Sequence, residues 1–429
     1  MEQLATIFPT ILSVIKNWWW VILPFVLWRP FLFLWLWWRR EKWWSEQRMI
    51  LLEIKMPEEI TKPIKAMEQV FLGLWGTNFD PPDWWEKWVD GKDNISYSFE
   101  IVGKAGEVYF YIRIPEAIRN AVESVIYSQY PNIEISVSED YTKSIPKDIP
   151  NKEWDLWGSA FELLKSDAYP IKTYTKFFEE KPDSSKEEKR LDPLAPLVEG
   201  LGSIGSEEQM WIQICACPIT VVEDNYIARG KKIVEKLLKR PEAKKPKSIL
   251  QEGAEGLAFG VSPKKEVKQE FSFPELTLSP GEREIVSGID EKISKYAFQC
   301  FIRFIYIGKR EVFFKPQAKS VFAFFSQFCT SNLNGIKPYP ITLTKIHKSW
   351  FLPLNSILPR RLYVRKRRLF RNYIKRFRPL YPLPGGTFVF NTEELATIFH
   401  FPGRMVAPAP SVKRVEYKKG EAPPGLPVE

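Results

Sequence analysis

Residues 95–115, "ISYSFEIVGKAGEVYFYIRIP", constrain the fold more than any other stretch. Ile95, Tyr97, Phe99 and Ile101 alternate with polar partners, "VGKAGE" turns the chain, and Val108, Phe110, Ile112 and Ile114 alternate again. Alternation of period two on both sides of a Gly-bearing turn is the pattern of a β-hairpin with one buried face. Ahead of it, "MILLEIKMP" reads as a strand, followed by a helix over 63–75 with Ile64, Met67, Phe71 and Leu74 at helical spacing. Behind it, Pro115 opens a second helix striped by Ile118, Ala121, Val122, Val125 and Ile126, and "NIEISVS" closes with strict alternation. The order β-α-β-β-α-β is the ferredoxin-like plan.

A second round of the same kind is expected from Tyr169. "YPIKTYTKFF" reads as a strand, 192–204 as a helix, and "QMWIQICACP", "YAFQCFIRFIYIG" and "YPITLT" as strands, with a helix over 316–328 before the last. A basic amphipathic helix over 223–238 and a Lys/Pro/Glu/Gly-rich stretch over 239–269 with too few apolar residues to fold form an insertion, after which a helix opens at "SPGE". At "SPGE", Ser279 caps, Pro280 takes the first turn and Glu282 completes a capping box. The expected architecture is therefore α+β. It has an N-terminal transmembrane anchor (1–48), a ferredoxin-like unit (49–145), a linker (146–169), a second unit enlarged by an insertion at 219–278 (170–345), a basic segment (346–386) and a C-terminal helix with a Pro-rich tail (387–429).

The anchor is read from "WWWVILPFVLWRPFLFLWLWW", residues 18–38, which carries one charge, Arg29, over a length that suffices to span a bilayer as a helix. Trp18, Trp19 and Trp20 at one end and Trp35, Trp37 and Trp38 at the other resemble aromatic belts, and Arg39 and Arg40 follow on the side that the positive-inside rule places in the cytoplasm. A signal peptide would need a basic start and a small-residue cleavage site, which "MEQLA" and the Trp/Arg exit do not supply. Pro24 and Arg29-Pro30 leave two forms open, a kinked span or a shallow re-entrant hairpin with Leu4 to Ile15. The expected location is the inner (cytoplasmic) membrane with the bulk of the chain in the cytoplasm.

The formal charge of +10 is one local device: "RRLYVRKRRLFRNYIKRFR" holds ten cations and no acid, which leaves the rest of the chain neutral. Arg360, Arg361, Arg365, Lys366, Arg367, Arg368, Arg371, Lys375, Arg376 and Arg378 are interleaved with Tyr363, Phe370, Tyr373 and Phe377. Three ligands suit that pattern: nucleic acid, whose phosphates would make binding salt-dependent; an anionic lipid surface; or acidic residues of a neighbouring part of the same chain. Elsewhere chemistry is sparse. "GLGSIG" ends a helix instead of following a strand, no G-x-x-x-x-G-K-[ST] occurs, two histidines give little for a metal site or a triad, and the four cysteines read as buried thiols. No cofactor, metal or catalytic residue is expected, and the chain is read as non-enzymatic.

Near the C-terminus, "FNTEELATIFHFPG" has a capping pair in Asn391 and Glu394, and Leu395, Ile398 and Phe399 on one face, with His400 beyond. This stretch, together with "LLEIKMPEEITKPIKAMEQVF" after the Trp-rich segment and "DPLAPLVEGL" ahead of "EEQMWIQI", resembles the non-motor N-terminal region of conjugative-transfer and type IV secretion ATPases of the HerA/FtsK-like group. In that family the corresponding stretch leads into a RecA-like motor. The resemblance implies a membrane-anchored, non-catalytic subunit of a translocation machine that docks a P-loop ATPase in trans through Asn391, Glu394, Leu395, Phe399 and His400, and that assembles as a homo- or hetero-oligomer. The alternative is a membrane-tethered protein that binds nucleic acid, such as DNA, without a motor.

Overall fold

The computed structural model describes residues 2–57, 60, 62–77, 80–177, 192–238, 278–346, 357–381, 383–403 and 414–415, with side chains from residue 20 onward except at 22, 414 and 415. Behind helix α1 (Glu2–Glu46) come β1 (Met49–Pro57), α2 (Ile64–Thr77), β2 (Tyr97–Lys104), β3 (Glu107–Pro115), α3 (Arg119–Gln129) and β4 (Glu134–Ser138). Ala105 and Gly106 join β2 to β3 with positive φ at both positions, 52° and 80°. That is the requirement of a type I′ turn, whose twist matches the flanking strands. The four strands lie in the order β4-β1-β3-β2. A second pass follows through β5 (Trp154–Leu163), α4 (Ala195–Gly202), β6 (Glu208–Ile219), α5 (Tyr226–Leu237), α6 (Pro280–Ser294), β7 (Ala297–Lys309), α7 (Lys319–Ser326) and β8 (Ile336–Pro338), and its strands lie in the order β6-β7-β5-β8.

These passes are not the two tandem units expected. Tyr97 to Lys104 of β2 pair antiparallel with Ala216 to Gln209 of β6, so both belong to one mixed α/β body built on one sheet. With α8 (Leu358–Ile374), β9 (Phe388–Asn391), α9 (Thr392–Ile398) and β10 (Arg414–Val415), the sheet has ten strands. Nine pair antiparallel, and β10 lies parallel to β1. The boundary of the second pass also moves. "YPIKTYTKFF" holds a short 3-10 turn at Tyr174–Lys176, and the strand comes from the expected linker. The sequence "WDLWGSAFEL" hides it because Gly158, Ser159 and Ala160 are small residues with 0% exposure at the latter two, not an apolar alternation. A Cβ on Gly158 would meet the Phe304 carbonyl oxygen, so the strand needs glycine where it crowds β7. The stretches 179–190 and 239–269 lie outside the described residues.

The expected transmembrane anchor is overturned as well: among the described residues no helix is long and apolar enough to cross a membrane. α1 continues through Pro24 and Pro30, so it is not a re-entrant hairpin. Ten of the 21 residues in 18–38 are Trp, Pro or Arg, and the indole N–H draws Trp toward interfaces and away from hydrocarbon. The second half of α1 rests on the body. Trp35 donates to the Trp88 carbonyl at 2.9 Å, Arg39 donates to the Val89 carbonyl, and Trp37 donates to the Tyr381 hydroxyl at 2.7 Å. Gly91, with φ 74°, sits beneath Arg39 at a distance that leaves no room for a Cβ.

The sheet has two covered faces. On one, Met67, Val70, Phe71 and Leu74 of α2, Val122 and Ile126 of α3, Leu197 and Leu201 of α4, Phe324 and Phe325 of α7 and Leu395 of α9 pack on the alternating apolar residues of the strands. On the other, Leu369, Phe370 and Tyr373 of α8 pack on Val102, Tyr111, Trp211, Ile305 and Ile307. Phe99 of β2 sits where the first face converges, 5.0 Å from the Phe71 ring and 5.1 Å from Phe399. Phe99→Ala is expected to cost about 3–5 kcal/mol. Because one sheet carries both passes, urea unfolding followed by near-UV and far-UV circular dichroism should give coincident transitions, and separated transitions would contradict the single body.

Candidate nucleic-acid interface

α8 owes its place to the spacing of its apolar residues. Leu369, Phe370 and Tyr373 fall on one side with Lys366 and Asn372, and all five are buried against the sheet. Ten cations therefore cannot share one environment. Lys366 points inward, where its Nζ lies 2.6 Å from Asp155 Oδ1. Burial pushes its pKa down and Asp155 opposes that. Arg376 is the second inward cation. It stands just past the helix with φ 56°, and the bonds Arg376 N–H to Tyr373 O (3.0 Å) and Phe377 N–H to Asn372 O (2.9 Å) form a Schellman end with arginine where glycine is usual.

A left-handed arginine is held there by what its guanidinium meets. Nε and Nη2 donate to the two oxygens of Glu100 at 3.0 and 3.1 Å, and Nη1 and Nη2 donate to Asp140 at 2.5 and 3.2 Å. Glu100 also accepts from Ser98, Gln213 and Tyr141, and the Tyr141 and Tyr373 hydroxyls are 2.9 Å apart. Burial alone would raise the Glu100 carboxyl. The charge and hydrogen bonds of Arg376, with those of Ser98 and Tyr141, hold it below its ordinary value. Asp140 is likewise lowered against its burial, by Arg376 and Thr142. Arg303, fully buried on β7, has its pKa pushed down to about 10 by burial, and donates to the Phe377 carbonyl.

The outward cations are arranged differently. Arg360, Arg361, Arg368, Arg371 and Lys375 are exposed, and Arg365, Arg367 and Arg378 are half-buried. Arg360, Arg361, Arg365 and Arg368 line a groove of about 470 Å³ beside Val364 and Leu380. Arg365 is oriented by the Leu343 carbonyl at 2.8 Å, and Arg367 lies 6.0 Å over the Tyr363 ring. Among the described residues no carboxylate pairs with Arg360, Arg361, Arg365, Arg367, Arg368 or Arg371, whereas Arg378 reaches Asp93 at 3.9 Å. The helix thus presents a stripe of positive charge to solvent along roughly 25 Å, from 17 residues at about 1.5 Å each.

Residues 64–410 match a family described as a domain of unknown function, DUF8128. The chain belongs to this family. The match takes in α2 through α9, and with them the whole of α8 and its buried partners. No curated protein matches the sequence.

The other residues singled out in the sequence are placed apart from this stripe. Trp20, Trp35, Trp37 and Trp38 are exposed on α1, Arg39 and Arg40 are half-buried at its end, and Trp18 and Trp19 lie in the helix without described side chains. The capping box of Asn391 and Glu394 is formed, but every residue of α9 is buried by its own chain. Leu395 and Phe399 sit in the core, and Glu394 accepts from the Ile171 N–H and pairs with Lys292 at 2.9 Å. Burial nevertheless keeps the Glu394 carboxyl above its ordinary value. His400 lies between the Ala396 carbonyl and Asp192, at 2.9 and 3.0 Å. This helix closes a core of its own chain. Alternation in β2 marks Ser98 and Glu100 as polar but does not reveal that α8 covers them. The ten cations without a local acid were the one signal that acids elsewhere had to be found.

The carboxylates of Glu100 and Asp140 titrate lower in the folded chain than their ordinary values of 4.5 and 3.8. The stability they contribute is therefore present above those values and is lost as pH falls through the folded ones. Arg376→Met should cost about 3–5 kcal/mol at pH 7, since it strands a buried carboxylate. The gap to the unsubstituted protein in urea melts should narrow at pH 4, and a gap independent of pH would refute the network as described.

Proposed function

We propose that this protein is a non-catalytic component that binds nucleic acid along the outward face of α8. The observation that carries the reading is the division of charge on one helix. The cations facing the sheet, Lys366 and Arg376, are neutralised by buried carboxylates, while six arginines facing solvent meet no described carboxylate. A fold that needed the tract only as a connector would have no use for the second set. Guanidinium groups at helical spacing, with Tyr363 47% exposed among them, suit a phosphodiester backbone and one stacked base or sugar.

The resemblance to the non-motor region of conjugation and secretion ATPases supports a setting in which bound DNA is handed to a motor. In that setting a P-loop ATPase and further copies of the chain would engage surfaces other than α9, because α9 is spent on its own core.

Fluorescence anisotropy with labelled single-stranded and duplex DNA tests the reading. The logarithm of the affinity should fall linearly with the logarithm of salt concentration, with a slope of about 0.7–0.9 for each phosphate neutralised. Arg361→Glu with Arg368→Glu should weaken binding at least about tenfold at low salt and flatten that slope by about 1–2. Absence of salt-sensitive binding, or indifference to the double reversal in a protein of unchanged thermal stability, would falsify the proposal.

A further inference from the structure

A second positive site lies at the other end of α8, inside the molecule. Between the end of α1 and the segment that leaves α8 is a partly enclosed cavity of about 310 Å³, near the lower end of the roughly 300–1,000 Å³ usual for small-molecule sites. Five cations line it: Arg40, Arg113, Lys375, Arg376 and Arg378. Two are neutralised, Arg376 by Glu100 and Asp140, and Arg378 by Asp93. Arg40, Arg113 and Lys375 pair with no described carboxylate, and the Nε of Arg40 is buried without a hydrogen-bond partner among the described residues. The Arg113 guanidinium is pushed below its ordinary pKa, first by burial and then by the charge of Arg376, against the opposing charges of Glu100 and Asp140. Lys375 is exposed at the edge of the cavity, whereas Arg40 and Arg113 are half-buried, and cations withdrawn from water are costly unless an anion joins them.

The rest of the lining is mixed: Asp93, Asn94, Ser96, Gln299 and Thr387 are polar, and the remainder is unsuited to an inorganic ion. Phe33, Leu36, Trp44, Phe301, Leu383 and Pro384 supply an apolar wall that a bare phosphate would leave wet. Two of the wall residues also lead outward. Phe33 and Trp37 line the cavity while 40% and 39% exposed, and Val26, two turns earlier on the same face of α1, is exposed as well. A ligand with a charged head and an aliphatic tail meets both conditions at once.

We propose that this cavity binds an anionic amphiphile, with its phosphate or carboxylate held by Arg40, Arg113 and Lys375 and its tail leaving over Phe33 and Trp37 along α1. The site is separate from the outward face of α8 and does not depend on nucleic-acid binding there. Its head-group chemistry is common to phospholipids and fatty acids.

Isothermal titration of the full chain with dodecyl phosphate, laurate, inorganic phosphate and dodecanol, all below micellar concentrations, distinguishes these ligands. One molecule of dodecyl phosphate or laurate should bind per chain, at least about tenfold tighter than inorganic phosphate or dodecanol. Whichever of the two binds tighter identifies the head group. Arg113→Gln and Arg40→Gln should each weaken that binding about tenfold, with Arg113→Lys recovering part of it. Arg361→Glu with Arg368→Glu should leave it unchanged, so this proposal and the nucleic-acid reading fail separately. Equal affinity for inorganic phosphate or for dodecanol, or no effect of the cavity substitutions, overturns the proposal. If Arg113→Gln does not fold, Arg40→Gln at the end of α1 decides alone.

Discussion

The antiparallel pairing of β2 with β6 is the constraint on which the rest of the structure depends. By joining the edge strand of the first β-α-β-β-α-β pass to that of the second, it removes two open edges and makes one wide sheet. A wide sheet must cover two faces. The crossover helices α2, α3, α4 and α7 all fall on one of them, as the repeated path dictates, and α9 fills the place between the two passes on that same side. The opposite face at the junction is crossed by α8, with Tyr141, Ile145 and Ile149 packing beside it. The junction therefore determines both why a helix is needed there and which strand residues it must satisfy.

Those strand residues explain the mixed character of the second layer. Ser98 and Glu100 of β2 and Gln213 and Cys215 of β6 stand opposite one another across the junction. The layer under α8 is partly polar, and it can be buried only if every charge finds a partner. Arg376 supplies the charge, and Ser98, Tyr141 and Gln213 supply the remaining donors to Glu100. Apolar packing of Trp211 against Phe370 and Tyr373 surrounds this centre and excludes water from it.

The sequence made much of this legible at short range and little at long range. The hairpin of β2 and β3, the stripe of α2, and the caps at Ser279 and Asn391 could be read because each is specified by neighbours within a turn or two. β5 could not, since Gly158, Ser159 and Ala160 record crowding by distant chain instead of an apolar period. The fusion of the two passes leaves no local trace, because a strand paired on one edge and a strand paired on both can carry the same alternation. The anchor failed for a different reason: Trp gives a segment an apolar look without the hydrocarbon affinity of Leu or Ile. As for the candidate interface, the cations were plain but their division was not, because which side of α8 faces the sheet is decided by Leu369, Phe370 and Tyr373 together with carboxylates more than 200 residues away.

Arg376 connects the two charged regions that this division creates. Its left-handed conformation turns the chain out of α8 and sends 377–381 beneath α1, where Phe377 stacks on Tyr381 at 4.1 Å and Tyr381 bonds to Trp37 and Glu41. The same residue thus fixes the end of the basic helix, neutralises the acid below it and shapes one wall of the cavity against α1. Glu100 holds Arg376 in a conformation that arginine disfavours by roughly 1–2 kcal/mol, and that cost is met by a bidentate ion pair out of water. The position of α1, the end of α8 and the protonation of one strand carboxylate are consequently linked through a single side chain.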